Sequence, residues 1–166
     1  MIRQSFPAAV LVSLLAAAPA FADGTAAPQY FNGRLTVDIS GQDVSMQLRL
    51  PMTRSTVETA SKQNFTQDEV IARLKDAGKM FGFPAGAKCQ VESANAFAVD
   101  QQGRITKADS NVQAMYRFRC EGAKIDALQI KLFEGLPGLE TVKLQVTTEK
   151  GEKNFDLVPG KGDVTL

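Results

Sequence analysis

The feature that most constrains this chain is a pair of cysteines. Cys89 and Cys120 are its only two, and each lies in a segment that alternates apolar and polar residues. Set opposite each other in an antiparallel pair, they bring Val91 against Phe118, Ser93 against Tyr116 and Phe97 against Val112 on one largely apolar face. On the other face Glu92 meets Arg117. A register chosen only to join the sulfurs therefore also matches apolar with apolar and acid with base, as cross-strand neighbours require.

Whether those thiols are oxidised depends on the compartment, and the N-terminus speaks to that. Met1-Ile2-Arg3 is a positive start, Ala8 to Ala18 is an apolar run, and Ala20-Phe21-Ala22 is a small-x-small cleavage site. The run is too short to span a bilayer, so residues 1–22 read as a secretory signal peptide. Export makes a structural disulfide the expected state of two cysteines. Closing a loop of about 32 residues stabilises a fold by roughly 3–4 kcal/mol in the chain-entropy model. A catalytic thiol or thiolate metal site needs an activating or co-ligating partner, and the chain has no histidine. Residues 23–166 are expected to form a single domain, with 23–30 a loose leader and no later run long enough to cross a membrane. The full chain carries 19 Lys+Arg against 18 Asp+Glu, and loss of Arg3 balances them. That argues against nucleic acid or an anionic membrane as the dedicated partner, and the processed protein is expected to be soluble.

Alternation recurs along the chain. Arg34 to Ile39 and Val44 to Leu50 flank Ser40-Gly41-Gln42-Asp43, where glycine at the first central position suits a two-residue turn. This register sets Leu35, Val37 and Ile39 against Leu48, Met46 and Val44. Residues 52–65 are hydroxyl-rich and read as a long connection in which Ser55, Thr56 and Thr59 serve as turn caps. Thr66-Gln67-Asp68-Glu69 is a capping-box pattern. Val70, Leu74, Ala77 and Phe81 then form one apolar stripe, which predicts a main helix over about 67–81, ended by Gly82 and Pro84. The tip of the cysteine hairpin, residues 101–107, is polar and expected to be mobile. Alternation over 127–133 and 141–146 predicts two more strands, bent apart at Gly135, Pro137 and Gly138. A tight turn at Lys150-Gly151 would pair Val146 with Phe155 and Leu144 with Leu157, and Val164 to Leu166 would add an edge strand. The expected fold is α+β: an antiparallel sheet of about six strands built from hairpins, with the helix packed on one face.

The chemistry open to such a chain is narrow. Without histidine or a free thiol, the Ser-His-Asp and Cys-His systems and the common zinc sites are excluded. Asp68 and Glu69 are explained by helix capping, and the glycines form no phosphate loop after a strand. A non-enzymatic protein without a cofactor is the expectation, and Thr66, Glu69, Glu92 and Arg117 are assigned structural roles.

Leu35 to Gly41 with Leu48 and Pro51, Phe81, Phe83-Pro84, Ala87-Lys88-Cys89, Tyr116-Arg117-Phe118-Arg119-Cys120, Leu132-Phe133-Glu134 and Leu136 to Glu140 together resemble the ZrgA-like periplasmic zinc-binding family of bacteria. The resemblance implies a periplasmic protein beside metal-uptake machinery, binding zinc through a histidine-containing N-terminal segment and a histidine-rich insert between the cysteine strands. This sequence departs at those places. Ala26-Ala27-Pro28-Gln29-Tyr30, Val99 to Ile105, and Val57-Glu58-Thr59-Ala60 carry no histidine, so no ligand transfers. Two readings follow. One is an accessory protein of metal homeostasis or transport that acts by contact, its partner a periplasmic or inner-membrane transport component. The alternative is a zinc-binding protein that uses ligands other than histidine.

Overall fold

The computed structural model describes residues 31–51, 66–106, 111–136 and 138–166. Residues 1–30, read above as signal peptide and leader, the 52–65 connection, residues 107–110 with Lys107 of the hairpin tip, and Pro137 lie outside the described residues. The fold is α+β. Strands β1 (Phe31–Ser40) and β2 (Asp43–Leu50) form the expected hairpin, with Leu35↔Leu48, Val37↔Met46 and Ile39↔Val44 facing each other. Gly41 takes the turn at φ +59, a left-handed conformation that glycine adopts without steric cost.

Helix α1 spans Gln67–Leu74 and a second, α2, spans Ala77–Met80, so the single helix expected to run to about residue 81 is divided. The break lies at Lys75 and Asp76, and Asp76 leaves the helical region at φ −88, ψ 75. A continuous helix would offer the Leu74 carbonyl to a backbone amide of the following turn. Here the buried Tyr116 hydroxyl donates to it at 2.9 Å. The apolar stripe survives the break, since Val70, Leu74, Ala77 and Phe81 are all buried.

Strand β3 (Phe81–Gly82) leads through a 3₁₀ turn at Ala85–Ala87 into β4 (Cys89–Val99) and β5 (Asn111–Cys120). Strand β6 (Ala127–Ile130) gives way to a helical turn, α3 (Leu132–Gly135), where alternation suggested that the strand would continue to Phe133. Leu128, Ile130 and Leu132 are all buried, so the period of two persists although the ladder has ended. The last strands are β7 (Leu139–Thr148), β8 (Gly151–Leu157) and β9 (Asp163–Thr165).

Six strands form one sheet in the order β4-β5-β2-β1-β7-β8, and β3-β6-β9 form a second. The large sheet is mixed, not antiparallel throughout, because β1 and β7 run parallel along Asn32↔Thr141 to Asp38↔Thr147. Parallel neighbours need a long crossover, and β7 lies far along the chain from β1. Its β8 partner is offset by two residues from the expected register: Leu144 faces Phe155, and Val142 faces Leu157. That places the turn at Glu149-Lys150 and sets Glu152 against Thr147 rather than Glu149, relieving a like-charge opposition.

One face of the large sheet carries Leu35, Val37, Leu48, Val112, Tyr116, Phe118, Leu144 and Val146 into a single hydrophobic core shared with α1, α2 and the small sheet. Phe81 sits edge-on to Tyr116 with ring centroids 4.8 Å apart, and Phe83 does the same to Phe118 at 4.9 Å. The other face alternates outward, exposing Arg34, Asp38, Ser45, Arg49, Met115, Arg117 and Lys143.

Candidate functional site

Cys89 and Cys120 are directly opposed and joined by a disulfide. The predicted register holds from Cys89↔Cys120 to Val91↔Phe118 and then shifts at a bulge at Glu92. Beyond it Ser93 faces Arg117, Ala94 faces Tyr116 and Ala98 faces Val112. The pairings Ser93–Tyr116, Phe97–Val112 and Glu92–Arg117 are therefore not made. A bulge adds one residue to one strand and favours sheet edges, and β4 is an edge strand. Small residues, Ala94, Ala96 and Ala98, thereby turn toward the core side in place of Ser93 and Phe97. Near the disulfide, β5 instead makes an acid-base contact with β2, Arg119 Nη1 to Asp43 Oδ1 at 2.6 Å. That bond raises the already high Arg119 pKa, with smaller contributions from Glu92 and Glu121. The pair was not evident in the sequence because β2 was not known to lie beside β5.

The capping box forms as its sequence predicts. Thr66 Oγ1 accepts from the Glu69 amide at 3.2 Å, and the Glu69 carboxylate accepts from the Thr66 amide at 2.7 Å.

Around the disulfide, backbone bonds draw several turns together. The Cys120 amide donates to the Gln42 carbonyl at 2.8 Å, and Gly122 and Ala123 donate to Ala87 and Gly86 at 2.9 and 2.7 Å. Gly122 is required there: a Cβ on it would stand 2.0 Å from the Gly86 carbonyl oxygen. These turns enclose a cleft of about 280 Å³ with Ile39, Ile125 and Leu166 in its wall and Lys124, Asp126, Glu149 and Lys150 among its lining residues. Its size is at the small end for ligand pockets. It contains no histidine or free thiol.

At the hairpin tip, where the resemblance places a histidine-rich insert, Asp100 organises a short turn. Its Oδ1 accepts from the Gln102 and Arg104 amides, both at 2.9 Å, and its Oδ2 meets Arg104 Nε at 2.7 Å. The Arg104 amide bond is the largest of the effects that hold the Asp100 carboxyl below its ordinary pKa. Ile105 closes the turn by bridging Val99. Specific bonds thus tie the turn together over the described residues 99–106.

Zinc needs thiolate, imidazole or carboxylate ligands converging on one point. There is no histidine, and both cysteines are bonded to each other. Among the described residues no three cysteine, aspartate or glutamate side chains gather to hold a metal ion. The described residues therefore do not fit a zinc site. Among them, too, no helix is long and apolar enough to cross a membrane.

A protein-family model described as "ZrgA family zinc uptake protein" matches residues 32–166. No curated protein matches the chain.

Proposed function

The chain belongs to the ZrgA family of zinc uptake proteins, and on that premise we propose that it is a non-enzymatic periplasmic accessory protein of zinc uptake, acting by contact with a transport component. The observation that carries this reading is the ligand inventory set against the retained scaffold. The family match covers residues 32–166, yet the sequence contains no histidine and its two thiols are consumed in a disulfide. The carboxylate at the hairpin tip is likewise engaged, by Gln102 and Arg104. Carboxylates left over would favour hard cations rather than zinc. A zinc role with no zinc site among the described residues is one that contact with another protein would serve. The disulfide and residues 1–22, read as a secretory signal peptide, support an address outside the cytoplasm.

Two measurements on one sample test the proposal. Calorimetric titration of the metal-free processed protein should give no zinc binding tighter than about micromolar, equivalent to roughly 8 kcal/mol. Capture from envelope extract should retain a transport component. A sub-micromolar zinc site at unit stoichiometry would overturn the accessory reading in favour of zinc binding by ligands other than histidine.

A further inference from the structure

On the open face of the large sheet, strand order creates a line of side chains that no stretch of sequence contains. Reading across β5, β2, β1, β7 and β8, the registers place Gln113, Arg49, Arg34, Lys143 and Asp156 side by side. Arg34, Arg49 and Lys143 are all exposed. Their neighbours Leu35, Leu48 and Leu144 are buried in the core below. Three cations thus stand on three adjacent strands, spaced at the strand separation of about 4.8 Å. Like charges directly opposite one another destabilise a sheet. The described salt bridges lie elsewhere, at Lys79–Asp76, Arg104–Asp100 and Arg119–Asp43. Lys143 has Asp156 across from it on β8, but Arg49 has only Gln113 on its other side. Among the described residues, the centre of the sheet therefore holds two facing arginines with no acid beside either.

We infer that Arg34, Arg49 and Lys143 form a docking surface for an acidic, extended segment of a partner protein. The inference rests on the contact reading above and names the surface that makes the contact. Guanidinium groups grip carboxylates with two parallel hydrogen bonds. Alternate residues of an extended chain lie roughly 6.6 Å apart, within the span of a row whose members are one or two strands apart. A protein segment fits better than an anionic membrane. Asp38, Asp43, Glu152 and Asp156 occupy other exposed positions of the same sheet, and the whole chain is nearly neutral. A broad negative surface would meet acids and bases alike, whereas a short acidic segment meets only the row.

The test uses the full processed protein, a synthetic peptide of alternating glutamate and threonine, and the same peptide with glutamine for glutamate. Fluorescence anisotropy at low ionic strength should show binding of the glutamate peptide only, weakening as salt screens it. The double variant Arg34→Gln, Arg49→Gln should bind at least about ten-fold more weakly, while Lys150→Gln, at the far end of the sheet, binds as wild type. The double variant removes a like-charge opposition, so its denaturation midpoint should be unchanged or raised. An equal affinity in the folded double variant overturns the proposal. So does capture by phosphatidylglycerol vesicles, through the same two arginines, in place of the peptide. In envelope extract, a double variant that still captures everything the wild type captures overturns the docking surface but leaves the contact reading standing. A wild type that captures no protein overturns both.

Discussion

Tyr116→Phe isolates one interaction that the structure makes unusually clean to interpret. The Tyr116 hydroxyl donates to the Leu74 carbonyl at 2.9 Å, Tyr116 is 1% exposed and Leu74 is fully buried. Phenylalanine keeps the ring and its edge-on contact with Phe81, so packing changes little. What is lost is one neutral hydrogen bond, and a buried helix-end carbonyl is left without its donor. The net bond is worth about 1 kcal/mol and an unsatisfied buried group costs about 1–3 kcal/mol, so a loss of roughly 2 kcal/mol is expected. In a domain of this size that lowers Tm by roughly 6–8 °C. Burial also pushes the Tyr116 phenol well above its ordinary pKa, which adds an independent signature. The folded state holds this proton more tightly than the unfolded state, so the contribution is intact below the unfolded pKa near 10. It is lost progressively as pH rises from there toward the folded value. Tyr116→Phe should remove that alkaline loss, measured by urea unfolding at pH 8 to 10.5. A change below about 0.5 kcal/mol at neutral pH, with the alkaline slope retained, would refute the argument.

Two further outcomes follow from the same structure. The native protein should contain no alkylatable thiol by mass spectrometry, and replacing Cys89 and Cys120 by alanine should lower stability by roughly 3–4 kcal/mol, read from the denaturant midpoint; two reactive thiols in the native state would contradict the bond. Thr66→Ala should cost about 1 kcal/mol, since it removes the acceptor for the Glu69 amide, and an unchanged midpoint would mean that this cap contributes nothing to α1.

The reach of sequence reasoning here had a definite physical limit. Patterns that depend on neighbours along the chain were legible: the capping box at Thr66 and Glu69, the β1–β2 hairpin around Gly41 and the opposition of Cys89 and Cys120. Alternation, however, fixes a register only modulo two, because an even slip keeps every side chain on its own face. The β7–β8 pair could therefore be offset by two residues with no violation of the pattern. A single inserted residue does change faces, and the bulge at Glu92 moved the partner of Arg117 from Glu92 to Ser93. Nothing in the composition of β4 marks that bulge. Burial with period two also fails to mark a strand's end, as Leu132 shows by opening a helix. Contacts that depend on strand order were beyond reach altogether. Asp43 meets Arg119 only because β2 lies beside β5, and Arg34 stands between Arg49 and Lys143 only because β1 runs parallel to β7. A surface that exists only after the sheet has assembled cannot carry a local motif. In this chain the residues that stabilise the fold were mostly readable from the sequence, whereas the row assigned to docking became visible only with the topology.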